Sequence, residues 1–171
     1  MQLDKSQLGR AGELALSLYA MVFSRGELEL FSPIVDDDHV DLVGSLRGGL
    51  PRLAVQVKTA DSTDRDGLVE ARATYPAGQV REDPAFVYAI LLLESVAIKC
   101  AWIVPSPDFN RLAYRSAGAG RDVLEFRASP MRSDVFSPFR VDPQSIGPNL
   151  VSRMEADGPV AAWIGRLGRS R

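Results

Sequence analysis

A chain of 171 residues is the length of one domain and can bury a core of ordinary size without disulfide staples. Its single cysteine, Cys100, and single histidine, His39, exclude an intramolecular disulfide and a Cys/His zinc site, and a reducing cytoplasm is the compartment that fits. A formal net charge of −2 gives no general attraction to a polyphosphate, so contact with nucleic acid would rest on local positive charge: Arg65, Arg72 and Arg81 in one segment, and Arg166, Arg169 and Arg171 in the tail.

Residues 1–5 lack the basic start and apolar run of a signal peptide, so export is not expected. Ser6 can cap a helix, and Leu8, Ala11, Ala15, Leu18 and Val22 recur at three- and four-residue steps, which predicts a first helix with one apolar face on a sheet. Gly9 and Gly12 weaken that helix but let backbone or ligand come close, and Gly26 ends it. Residues 27–35 and 40–46 have strand-like spacing, and the Arg47-Gly48-Gly49 turn leads to a third strand at 53–59. Side chains alternate along a strand, so Gln56 and Lys58 share one face of this meander while Val55 and Val57 take the other.

Residues 61–83 are polar, contain Pro76 and Gly78, and read as a loop over the site. The apolar runs 86–93 and 97–104 read as buried strands, although periodicity alone leaves a buried helix open. Glu94 and Lys99 interrupt that region at a depth that argues against a membrane span. Pro105 and Pro107 close it; a short helix at 108–117, an edge strand at 123–127 and a helix at 149–156 follow. Pro159 suits the first turn of a terminal helix running to about 167, whose Trp163 and Ile164 could form a homodimer interface. With no internal repeat or linker, residues 1–171 are expected to form one domain.

Three features carry chemistry: an acid in a glycine-containing helix (Gly9-Arg10-Ala11-Gly12-Glu13), an aspartate at the start of a strand (Val40-Asp41-Leu42-Val43), and Val55-Gln56-Val57-Lys58-Thr59 on the next strand. Lys58 stands out because the chain otherwise uses arginine for most of its positive charge. The other lysines are Lys5 and Lys99, and an amine on an apolar strand is costly. The arrangement resembles the PD-(D/E)XK nuclease superfamily in its Gln-x-Lys form, over roughly residues 6–60. The resemblance implies a restriction-endonuclease-like α/β fold, a mixed and partly antiparallel central sheet flanked by helices with an αβββαβ core. It also implies a metal-dependent nuclease acting on DNA.

In that family's terms Asp41 and Glu13 are metal ligands, the Val57 carbonyl also faces the metal, Gln56 lies beside it, and Lys58 orients or deprotonates the attacking water. A hard cation with oxygen ligands, Mg2+ or Mn2+, is the cofactor implied. Two positions depart from the pattern: Val40 stands where the family has proline, and Gln56 replaces a carboxylate and removes one negative charge. An alternative reading keeps the fold as an inactive module that binds nucleic acid or protein, and a third makes Glu13 and Lys58 a buried structural ion pair.

Other signals are weaker. Asp36-Asp37-Asp38 fails the EF-hand pattern, since the positions that require an oxygen ligand, glycine and glutamate are Val40, Asp41 and Arg47, and it reads as a solvated turn. His39 reads as an exposed turn residue near Asp41, and the stretch from Ser116 to Arg121 as a flexible turn lacking the lysine of a phosphate loop. Trp102 and Trp163 read as core or interface anchors.

Overall fold

The computed structural model describes residues 3–33 and 39–156. Helix α1 spans Lys5–Phe23 and is capped by Asp4 rather than Ser6. The Asp4 carboxylate accepts the Gln7 N–H at 2.8 Å while the Gln7 side chain accepts the Asp4 N–H at 3.0 Å, so one reciprocal box satisfies two donors that a serine at position 6 would leave open. The buried face of α1 is Gly12, Ala15, Leu16 and Ala20. Leu18 and Val22, expected on that face, are exposed, together with Leu14 and Met21. The reason is Gly12: a Cβ there would collide with Thr59 Oγ1, so the helix lies closest to the sheet along its small residues.

The strands are β1 (Leu28–Phe31), β2 (Leu42–Leu46), β3 (Pro51–Ala60), β4 (Val69–Pro76), β5 (Phe86–Glu94) and β6 (Ala97–Pro105). Helix α2 (Ser106–Leu112), β7 (Tyr114–Gly118), β8 (Arg121–Ala128), β9 (Arg140–Val141) and helix α3 (Ile146–Ala156) follow. Six strands form a mixed sheet in the order β1-β2-β3-β5-β6-β9, in which β3 and β5 run parallel and the other neighbours antiparallel. The expected mixed α/β sheet flanked by helices is therefore present. A second, antiparallel sheet has the order β4-β8-β7.

Alternation divides the interior into two layers. Val55, Val57, Val87, Ala89, Leu91 and Ile103 face α1 and α3, where they pack with Leu16, Ala20, Leu150 and Met154. Ala54, Tyr88, Ile90, Trp102 and Val104 face the second sheet and meet Ala73, Leu124 and Phe126. Strand β5 is covered on both sides, which is why eight of its nine residues are buried and its sequence shows no alternation. Aromatic rings hold the second layer in place: Tyr88 stacks on Phe109 of α2 with centroids 3.9 Å apart, and Trp102 meets Phe126 edge-on at 5.3 Å.

Several expectations are corrected. The polar stretch 61–83 is not simply a loop, since it contains β4, which also makes the crossover between the parallel β3 and β5 where the αβββαβ order would put a helix. The helix expected at 108–117 ends at Leu112, and Tyr114 begins β7. Strand β8 is central in its sheet rather than an edge, because β7 pairs along its far side. The stretch from Ser116 to Arg121 is the β7–β8 hairpin, turned by Ala119 at φ 51° and Gly120 at φ 73°. Residues 36–38 and the terminal helix with Trp163 lie outside the described residues. On the outward face of the second sheet Arg72 pairs with Glu125 at 3.0 Å and Arg127 with Glu70 at 2.8 Å. Among the described residues no helix is long and apolar enough to cross a membrane.

Gly12→Ala should lower stability by about 1–3 kcal/mol in urea unfolding, the usual cost of an overpacked methyl group. Thr59→Ala in the same chain should recover part of that loss, because it removes the nearest obstructing atom.

Candidate active site

The β2–β3 ladder ends where Leu42 pairs with Val55, and among the described residues β3 continues to Ala60 with only β5 beside it. Where β2 gives out, a backbone donor on β3 needs another acceptor. Asp41, one residue before β2, supplies it: its carboxylate accepts the Val57 N–H at 2.6 Å, and its own N–H donates to the Val55 carbonyl at 2.9 Å. The Asp41 side chain is thereby held at the break in the sheet, against the strand that carries Gln56 and Lys58.

Lys58 lies on the same face of β3 as the buried Gln56, toward the second sheet. Burial pulls its amine below the ordinary lysine range, and the nearby Asp41 carboxylate opposes part of that pull. Asp41 and Lys58 are thus brought together electrostatically, and the amine is set to exchange a proton at lower pH than a solvated lysine.

Gln56 is 3% exposed, and its Oε1 lies 3.2 Å from the Tyr75 hydroxyl. Tyr75 comes from β4, and its hydroxyl is 2.6 Å from that of Tyr88 on β5. Burial raises both phenols above the ordinary tyrosine range. The His39 ring meets Tyr75 edge-on at 5.0 Å, while its backbone takes a positive φ of 64° in the turn before Asp41. His39 is an exposed turn residue, as expected, with this one aromatic contact. The tyrosines were not among the predicted site residues. The signal for Tyr88 was its hydroxyl in the middle of an otherwise apolar strand, because a buried phenol requires a partner.

Glu13 is held differently. It follows Gly12, where α1 touches β3 at Thr59, and its carboxylate binds Arg10 at 2.5 Å. Arg10 also reaches Ser32 Oγ at 3.3 Å, on the segment leading from β1 toward Asp41. The buried Glu13–Lys58 ion pair considered above is replaced by Arg10–Glu13 and by the electrostatic partnership of Lys58 with Asp41. Of the arginines expected to concentrate positive charge, Arg81 lies over the Phe86 ring, 4.9 Å from its centroid, and Arg72 is paired on the outer face of the second sheet. Arg166, Arg169 and Arg171 are outside the described residues.

Among the described residues there is no cluster of three or more His, Cys, Asp or Glu side chains able to hold a metal. The predicted donors, two carboxylates and a backbone carbonyl, are all oxygen. This is the set a hard cation accepts when it retains several waters. A surface cavity elsewhere, lined by Asp66, Leu68, Ser129, Arg132, Ser133 and Asp134, includes none of the predicted site residues.

The chain is similar in fold to the bacterial homing endonuclease I-Ssp6803I, with a TM-score of 0.60 over 92% of this chain and 100% of that one, at 16% identity. The fold is one that a nuclease uses. No family model and no curated protein matches the chain.

The Lys58 amine makes stability depend on pH with a definite sign. The folded chain releases this proton at lower pH than the unfolded chain, so the unfolded state binds more protons between the two values and stability rises as pH climbs through that window. Urea unfolding in the pH range below the ordinary lysine value of 10.5 should show the rise, and Lys58→Met should flatten it. An unchanged slope in Lys58→Met would place the amine in water.

Proposed function

We propose that this chain is a metal-dependent nuclease that hydrolyses phosphodiester bonds of DNA, with Asp41, Lys58, Glu13 and Gln56 as its working residues. The observation that carries the reading is the Asp41 carboxylate fixed on the Val57 N–H beside a half-buried Lys58 amine. A carboxylate and an amine of lowered proton affinity, set at a break in a sheet, form a pair suited to phosphodiester hydrolysis. The fold likeness to a homing endonuclease supports the same class of chemistry and favours DNA as substrate.

Asp41 and Glu13, with the Val57 carbonyl, would hold Mg2+ or Mn2+, which when bound supplies neutralisation of charge on the phosphoryl oxygens. Lys58, whose amine gives up its proton more readily than a solvated lysine, would when neutral take a proton at Nζ from the attacking water. The ammonium so formed then lies beside the charge that builds on the phosphate, where a fixed cation stabilises the transition state. Gln56 contributes a neutral amide in place of a second strand carboxylate, so mutual repulsion with Asp41 is smaller and the metal affinity is lower than a Glu-x-Lys site would have. Arg10 holds the Glu13 carboxylate, and its release from that pair accompanies any direct role of Glu13 at the cation.

The test is cleavage of single-stranded, duplex and branched DNA and RNA with Mg2+ or Mn2+, comparing wild type with Asp41→Asn and Lys58→Ala. Asp41→Asn retains an acceptor for the Val57 N–H while removing the charge, so the fold is spared. Both variants should lose at least about a hundredfold in rate while remaining folded by circular dichroism. Folded wild type that cuts no substrate with either metal would replace this reading with that of a binding module on a nuclease fold.

A further inference from the structure

The polar contacts around Gln56 have a fixed direction. An amide oxygen only accepts, so the Tyr75 O–H must donate to Gln56 Oε1 across their 3.2 Å separation. That uses the only Tyr75 hydroxyl proton, so in the 2.6 Å contact between the two phenols Tyr88 is the donor. The result is a one-way chain, Tyr88 to Tyr75 to Gln56, built from three different strands and buried along its length, with exposures of 0%, 4% and 3%.

Each member is anchored separately. Gln56 and Tyr88 are register partners across the parallel β3–β5 ladder, and the Tyr88 ring is stacked on Phe109. Tyr75 descends from the second sheet, with His39 against its ring in the turn that leads into Asp41. A bonded chain of this kind strengthens each of its links and disfavours other rotamers of the terminal amide.

We propose that Tyr75 is a positioning residue: its hydroxyl, oriented by Tyr88, fixes the Gln56 amide in one orientation on the face of β3 that carries Lys58. The kinetic consequence of this lock rests on the nuclease reading above, while the lock itself does not. Tyr75 does the work at a distance from the reacting atoms, and its hydroxyl hydrogen-bonds the second sheet to Gln56.

Tyr75→Phe removes only that oxygen and leaves the ring packing intact. On the DNA substrate it should lower kcat about tenfold with KM changed less than about twofold, the size of one hydrogen bond expressed in the rate. In a Gln56→Ala background the same substitution should have no further effect, and Tyr88→Phe alone should give a smaller loss in the same direction. Equal losses from Tyr75→Phe with and without Gln56 would overturn the proposal, as would no loss in either background.

A second readout does not depend on cleavage. The side-chain amide resonances of Gln56, assigned by their disappearance in Gln56→Ala, should shift in Tyr75→Phe and, less, in Tyr88→Phe. If wild type cuts nothing, the nuclease reading fails while a shifted amide still sustains the lock. An unmoved amide in Tyr75→Phe overturns the lock whatever the nuclease result.

Discussion

An amine drawn partly out of water either keeps an anion beside it or holds its proton less tightly, because an unpaired charge there is costly. Lys58 does some of each: its proton affinity is lowered by burial and partly restored by Asp41. The partnership depends on where β2 stops. Had the β2–β3 ladder continued past Val55, the Val57 N–H would have a strand partner and the Asp41 carboxylate would have no donor to hold it at that point. The length of one strand therefore sets the position of the anion, and with it the part of the Lys58 proton affinity that Asp41 restores.

The two layers around the main sheet divide the remaining tasks. On one side α1 approaches β3 closely enough at Gly12 to bring Glu13 near the end of that strand. Similarly tight packing recurs where α3 meets the end of α1, since a Cβ at Gly147 would press on the backbone of Ala20, Phe23 and Ser24. On the other side the second sheet meets the face of β3 that carries Gln56 and Lys58, and partial exclusion of water there lowers the proton affinity of the half-buried Lys58 amine. The buried Cys100 thiol on the same side is raised to about 11 by the same exclusion of water, so it is protonated and inert at neutral pH.

The parts of this design that were legible in the sequence are those with a strong period or a costly residue. The first helix, the meander and the two apolar strands could be read because their side chains repeat at helical or strand spacing. Lys58 could be singled out because an apolar strand is an expensive place for an amine. The face of α1 was misjudged because glycine and alanine carry little hydrophobic signal yet allow the closest approach, whereas the larger Leu18 and Val22 point outward. Strand β4 does alternate, Val69, Ala71, Ala73 and Tyr75 inward against Glu70, Arg72 and Thr74 outward, but its alanines carry little hydrophobic signal, and β7 is exposed at all five positions and shows no alternation. Tyr75 could not be placed beside Gln56, since that contact joins residues from different sheets and no local pattern encodes it.

The second sheet presents two faces of very different consequence. Its outward ion pairs, Arg72 with Glu125 and Arg127 with Glu70, are largely solvated and contribute on the order of 0–1 kcal/mol each. Its inward residues, Ala73, Tyr75, Leu124 and Phe126, are bound into the core and the Gln56 contact. Substitutions can accumulate on the first face without disturbing the second, so evolution or an engineer can recast the charge and shape of that surface while the packing and the Tyr75–Gln56 contact beneath it stay unchanged.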